Sequence, residues 1–234
     1  MNKIYQRYHK HSSYSNSYTK DSPLVVRDYL DHFKEEGGRH IYSTVEHGFQ
    51  SPYFRIYDEI EQYNSENGTD IKFIFGAEVY WVKDRFEKDN SNCHMILLAK
   101  NDKGRKAINK AISIANKTGY YYKPRLDLEL ILNLPKDDVF VTTACIMYWN
   151  KYKDIDDITL KLNNHFTDFY LEIQAHDTPQ QIEVNKHILK MSKKYGIPMI
   201  AGTDTHIFTE THMLDRDDLL KSSNIHYDEE EGWY

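Results

Sequence analysis

The chain has little to fasten it except its own packing. Two cysteines in 234 residues, Cys93 and Cys145, exclude a disulfide-built scaffold and fit a reducing, cytoplasmic setting. Ten glycines and six prolines are too few for a collagenous or low-complexity chain. No apolar run approaches the roughly 20 residues of a membrane helix. The opening Met1-Asn2-Lys3-Ile4-Tyr5 lacks the apolar centre of a signal peptide, so no membrane partner is expected. Positive charge is also short. Thirty Lys and Arg against 36 Asp and Glu leave a net charge of −6. That argues against a broad basic face gripping duplex nucleic acid, unless bound cations reverse the charge locally.

What is present suits one soluble domain with a sizeable core: 40% of residues are hydrophobic and 19 are tyrosine. Runs rich in Ile, Val, Phe and Tyr alternate with helix-like segments. The extended runs are Ile4 to His9, Ile41 to Glu46, Ile71 to Val82, His94 to Ala99, Val139 to Ala144, Phe169 to Gln174 and Pro198 to Gly202. Between them, Ser22-Pro23 reads as the cap and first turn of a helix stopped by Gly37-Gly38. Further helices are expected over Pro52–Asn64, from Asn101 to Lys117, Leu126–Leu132, Asp154–His165 and from Thr178-Pro179 to Tyr195. Tyr120 to Arg125 reads as an aromatic, basic loop. Residues 1–210 form the expected domain, and 211–234 an acidic C-terminal tail.

The alternation predicts an α/β fold: a mostly parallel sheet with helices outside, closed into a barrel whose chemistry sits at the C-terminal rim of the strands. Ligand-type residues collect at those ends. His9 and His11 are one residue apart on an extended run and share a face. His47, Cys145, Asp204 and His206 follow later runs. Glu78 sits inside the most apolar run, where a lone carboxylate costs several kcal/mol to bury unless it meets a cation. His94 heads its run instead of ending it. It reaches the same rim if the runs Ile71–Val82 and His94–Ala99 form an antiparallel hairpin.

Each residue alone has a plainer reading: a turn cap for His47 or Asp204, a helix start for Asp21, an ordinary buried thiol for Cys145. Together His9, His11, Asp21, His47, Glu78, His94, Cys145, Asp204 and His206 exceed the four ligands of one tetrahedral ion and suit two or three, with Glu78 bridging. Such a site suits attack of a metal-bound hydroxide on phosphorus. His and Cys favour zinc and the carboxylates also admit manganese, with iron and magnesium as further candidates.

The segments His9-Lys10-His11-Ser12, Val45-Glu46-His47-Gly48, Gly76-Ala77-Glu78-Val79-Tyr80, His94 to Asn101, Thr142-Thr143-Ala144-Cys145 and Thr203-Asp204-Thr205-His206 resemble, in order and spacing, the motifs of the PHP (polymerase and histidinol phosphatase) superfamily. The closer resemblance is to the PHP domains of bacterial and phage DNA polymerase III alpha subunits. It implies a distorted (β/α)7 TIM-like barrel holding three divalent ions. His9, His11, Glu78 and Asp204 would hold one ion; Glu78, His94 and Cys145 a second; Asp21, His47 and His206 a third. Glu46 stands where many members carry Asp and is expected behind His47. The implied activity is a phosphoesterase trimming a DNA 3′ end as a 3′–5′ exonuclease, with Glu78, His11 and Asp204 at the centre of catalysis. Substrate contacts are expected from His176, Lys123 and Arg125, and base stacking from Tyr120 to Tyr122. The polymerase modules are absent from the sequence, so no polymerisation is expected, and the acidic tail resembles the start of their continuation. Alternatives are a non-catalytic, metal-stapled scaffold docking polymerase modules or replication subunits, and a small-molecule phosphatase resembling histidinol phosphatases.

Overall fold

The computed structural model describes residues 6–17, 20–48, 52–90 and 93–223. It is a mixed α/β fold with a parallel-rich sheet flanked by helices. In chain order the elements are α1 (Val26–Glu35), β1 (Ile41–Ser43), α2 (Tyr53–Asn67), β2 (Lys72–Ile74), β3 (Gly76–Val82), β4 (Cys93–Ala99), α3 (Asp102–Thr118), β5 (Tyr120–Tyr121), β6 (Lys123–Asp127), α4 (Leu128–Leu132), β7 (Val139–Thr142), α5 (Ile155–His165), β8 (Asp168–Gln174), α6 (Pro179–Tyr195), β9 (Met199–Gly202) and α7 (Glu210–Ser222). None of these helices is long and apolar enough to cross a membrane.

Seven strands pair in the order β5-β6-β3-β4-β7-β8-β9, and β1 pairs with β2 in a second, parallel pair. The β3–β6, β7–β8 and β8–β9 ladders are parallel. Strand β4 runs against both neighbours, with Tyr80 opposite His94 and Ile96 opposite Thr142. The hairpin expected from His94 is therefore present. Beyond β9, Lys10 bridges Thr205 in parallel, and His47 bridges Glu78. Residues 8–10 reach β1 through side chains: Lys10 Nζ donates to the Ser43 carbonyl at 3.1 Å, and Ser43 Oγ to the Tyr8 carbonyl at 2.5 Å.

Strand alternation sorts the side chains into two layers. Ala77, Val79 and Trp81 of β3, Cys93, Met95 and Leu97 of β4, and Val139 and Val141 of β7 join the main core with helices α3, α5 and α6. The other face carries Glu78, His94, Ile96, Thr142 and Glu172 inward, over a small apolar floor of Tyr8, Val45, Ile96, Leu98 and Ala144. A separate cluster, including Tyr29, Phe33, Tyr42, Ile56 and Ile60, glues α1 and α2 to β1.

Several boundaries differ from the sequence expectation. The segment after Gln6 is not a strand; residues 4 and 5 of the expected first run lie outside the described residues. Helix α1 begins at Val26, not at Ser22-Pro23. The Asp28 carboxylate accepts the Val25 N–H at 2.7 Å, while the Ser22 hydroxyl is used elsewhere, donating to the His11 carbonyl at 2.8 Å. The expected loop Tyr120–Arg125 is the β5–β6 hairpin, recruited by pairing to β3. The expected boundary at 210/211 falls in the first turn of α7. That helix is tied to the domain where Arg216 Nε donates to the Asp21 carbonyl at 3.0 Å.

Candidate metal centre

The nine candidate ligands, scattered from residue 9 to residue 206, converge in one basin. Glu78, wholly buried, is its hub. Its Oε1 lies 2.9 Å from His94 Nδ1, 3.7 Å from His9 Nε2 and 4.0 Å from Cys145 Sγ. Its Oε2 lies 2.9 Å from His47 Nδ1 and 3.1 Å from His11 Nε2. Asp204 Oδ1 is 3.1 Å from His9 Nε2 and 3.2 Å from His11 Nε2. Asp21 Oδ2 is 3.4 Å from His206 Nε2 and 3.8 Å from His47 Nε2. Cys145 Sγ is 3.5 Å from His94 Nδ1. The rings of His47 and His206 both stack on His11, at 4.1 and 4.5 Å between centroids.

These groups are aimed inward by bonds behind them. His9 Nδ1 meets Glu172 Oε1 at 2.6 Å, leaving Nε2 for the basin. Glu172 is itself fixed by Tyr8 and Gln174. Gly202 must be glycine here, because a Cβ would stand 2.1 Å from Glu172 Oε1. His11 Nδ1 meets Ser15 Oγ at 2.9 Å; Ser15 in turn donates to Glu46 Oε2 at 2.5 Å and accepts the His47 N–H at 3.2 Å. Glu46 also accepts from the Ser12 hydroxyl at 2.7 Å. It therefore braces the loop carrying His11 as well as His47, through Ser15 rather than by touching the His47 ring. Imidazoles tied at one nitrogen and open at the other are the usual preparation for a metal ligand.

The basin is incomplete by itself. His9 Nε2, His11 Nε2, Asp21 Oδ1, His47 Nδ1, Glu78 Oε2, Asp204 Oδ1 and His206 Nε2 are buried without a well-formed hydrogen bond, and most meet only one another, as ion-pair contacts of 2.9 to 3.8 Å. Buried polar atoms are otherwise nearly always paired. Three sets have ligand atoms within 4.8 Å of one another: His9, His11, Asp204; His11, His47, His206; and His47, Glu78, His94. A donor set of imidazoles, carboxylates and one thiol fits divalent cations of the zinc and manganese kind.

The electrostatics agree. Burial penalises the Glu78 carboxylate, but His94 and His47 outweigh it and hold its pKa well below the usual range. Burial likewise opposes ionisation of Asp204, and His9 and His11 overcome it. Burial opposes protonation of His47, yet Glu78 and Asp21 push it up to about 10. His94, by contrast, is pushed down by burial despite Glu78 beside it. Burial pushes the Cys145 thiol well up, so its use as a ligand releases a proton.

Backbone strain gathers here too. Among the described residues, the non-glycine positions with positive φ are Tyr122, Ala144 and Asp204. Ala144 turns the chain to present Cys145, and Asp204 is itself in the basin. Such strain persists where the surroundings overrule it, commonly at functional sites.

The substrate-contact expectations divide. Lys123 lies at the basin's edge, its Nζ 4.4 Å over the Tyr80 ring. His176 is exposed two residues past β8, and among the described residues no bond or ring contact joins it to the basin. Arg125 corrects the expectation: it is 2% exposed, and its guanidinium donates to the carbonyls of Gly119, Asp89, Arg85 and Glu87 at 2.5 to 3.0 Å. Its charge is consumed by the main chain. Glu172 and Ser15 escaped the sequence reading, although Glu172 carried the same signal as Glu78, a carboxylate within an apolar strand.

Fold and basin together define an α/β domain whose convergent imidazoles and carboxylates could hold divalent cations. The PHP domain profile matches residues 7–176, and the chain belongs to that family. It is 30% identical over 225 residues to DNA polymerase III subunit alpha of Aquifex aeolicus, covering 88% of this chain and 18% of that protein. It is 32% identical over 212 residues to DNA polymerase III subunit alpha of Borreliella burgdorferi, covering 85% and 18%. The namesake from Thermus aquaticus is 27% identical over 242 residues, covering 96% and 19%. The chain thus spans less than a fifth of the length of these relatives.

Proposed function

We propose that this chain hydrolyses phosphodiester bonds at a DNA 3′ end, as a 3′–5′ exonuclease dependent on three divalent cations. The observation that carries the reading is the set of buried N and O atoms, without well-formed hydrogen bonds, converging on Glu78. His9, His11, Glu78 and Asp204 would hold one cation; Glu78, His94 and Cys145 a second; Asp21, His47 and His206 a third. Bound there, such ions supply Lewis acidity to a phosphoryl group and acidify water at neutral pH.

The chain's own residues do the positioning. Glu78 presents Oε1 toward His94 and Cys145 and Oε2 toward His11 and His47, so one carboxylate serves two neighbouring positions. Glu172 and Ser15 fix the tautomers of His9 and His11, keeping each Nε2 a lone-pair donor. In this reading the strands form a distorted (β/α)7 barrel that closes across residues 8–11 between β9 and β1, and the basin lies on its C-terminal rim. The cytoplasm suits two free thiols and a DNA substrate. The relatives' names support DNA as substrate and the remaining polymerase modules or replication subunits as partners.

A second reading has an observation of its own. Because the relatives extend far beyond the matched region, the domain could serve them as a metal-held scaffold. Purified protein incubated with zinc and manganese, on a 3′-labelled oligonucleotide and on a phosphomonoester, separates the readings. Stepwise 3′ shortening is expected. Turnover of the monoester alone would favour a small-molecule phosphatase, and bound metal with neither product would favour the scaffold.

A further inference from the structure

Next to the basin is a hollow that the metal centre does not use. It is lined by Asn90, Tyr121, Tyr122, Lys123 and Arg125 and has a cavity volume of about 350 Å³, within the size range of small-ligand pockets. Tyr80 is the common neighbour of hollow and basin. Its ring lies 5.2 Å from that of His94 and 6.1 Å from that of His47, and it carries the Lys123 ammonium over its face.

Three features of the hollow point the same way. Tyr122 is 73% exposed, and its φ of +59° is a costly conformation for an aromatic residue. That turn holds a bare aromatic ring in water, packed edge-on to Tyr121 at 4.7 Å. Lys123 forms no ion pair within 4 Å among the described residues. It is half-buried, which pushes its pKa down; the carboxylates of Asp21 and Glu78 push it up, and His94 is a further titratable neighbour on the basin side. Arg125, tied to four carbonyls, only stiffens the wall.

We propose that this hollow is a subsite for one unpaired nucleotide next to the scissile phosphate, with Tyr122 stacking its base and Lys123 holding its phosphate. The inference deepens the phosphoesterase reading, on which the words "next to the scissile phosphate" rest. It assigns the substrate class: single-stranded nucleic acid, taken without base selectivity, because any base offers a face to stack.

The test is binding of a fluorescent, hydrolysis-resistant phosphorothioate oligothymidylate to the zinc-loaded protein, followed by anisotropy across a salt series. Metal content and circular dichroism verify that each variant is folded and loaded. Tyr122→Ala should weaken binding on the order of 10-fold, and Tyr122→Trp should restore it. Lys123→Gln should weaken binding and reduce the slope of log K against log salt by about 0.7, one single-strand phosphate contact. Lys186→Gln, on the exposed side of α6, should change neither. An oligonucleotide that fails to bind the wild type, or binds Tyr122→Ala and Lys123→Gln as tightly as wild type, overturns the subsite. If the wild type shortens the 3′ end while both variants bind normally, the subsite alone falls. If Tyr122 and Lys123 govern binding but nothing is hydrolysed, the phosphoesterase reading falls and the subsite stands.

Discussion

Around Arg125 and around Glu78 the fold buries charge in opposite ways. Arg125 is surrounded by carbonyl oxygens that use up its N–H groups. Lys10, also buried, is treated similarly, lodged against the ring of Tyr42 at 4.2 Å and bonded to the Ser43 carbonyl. At Glu78 the arrangement stops short: imidazoles and carboxylates crowd within 2.9 to 3.2 Å of one another as ion pairs, yet atom after atom makes no well-formed hydrogen bond. A finished polar network contributes rigidity, whereas an unfinished one is costly unless something else completes it. The comparison separates residues that hold the fold from residues that await a ligand, although both kinds are charged and buried.

Four experiments can break or sharpen that contrast. The largest effect is expected for Glu78→Ala: hydrolysis should fall by more than about 100-fold, beyond the range for residues behind the ligands. Metal analysis should show more than one ion lost per chain. Undiminished turnover in that variant would discard the site. Next, Arg125→Ala should leave metal content unchanged in the protein that remains folded, but orphan several buried carbonyls. A loss of about 3 kcal/mol or more is expected in urea unfolding; a loss of metal with normal stability would reverse the contrast.

Third, stripping the protein with a chelator should lower its melting temperature. At free metal about 100 times Kd, binding contributes about 2.7 kcal/mol, which in a domain of this size is roughly 5–10 °C. Fourth and smaller, Glu172→Gln should lower metal affinity about 10- to 100-fold through loss of the His9 anchor.

The two forms should also respond differently to pH, the metal-free one losing stability as pH rises and the metal-loaded one not. In the metal-free protein His47 is pushed up to about 10. Its contribution to stability is complete below about pH 6.5, its unfolded value, and is lost as pH rises through 10. Metal binding must displace that proton, so affinity should rise over the same window. Melting curves with and without zinc, taken from pH 6.5 to 9, should diverge as pH increases; parallel curves would refute the exchange of proton for cation.

Much of the basin was legible because its members break the rules of their surroundings. A carboxylate in an apolar strand, two imidazoles on one face and strand ends rich in ligands are visible without coordinates. The reversed strand β4 was legible for the same reason, since His94 otherwise sat at the wrong end. Cys93 and His94 then separate by alternation alone, one toward the helices and one toward the basin. What stayed hidden depended on partners distant in sequence. Tyr120 to Arg125 has the composition of a loop and becomes strand only because β3 offers it a ladder. Ser22 has the chemistry of a helix cap, but the His11 carbonyl competes for its hydroxyl. No local pattern reveals that Ser15 links Glu46 to two histidines.

The reversal of β4 has an architectural consequence. Had β4 followed β3 in parallel, the link between them would have needed a crossover of a dozen or more residues back across the sheet. Running the other way, β4 needs only the hairpin link of residues 83–92. That short link does a second job: its carbonyls at Arg85, Glu87 and Asp89 clasp the Arg125 guanidinium, so the turn that reverses β4 also locks β6 in place, and cutting it would undo both.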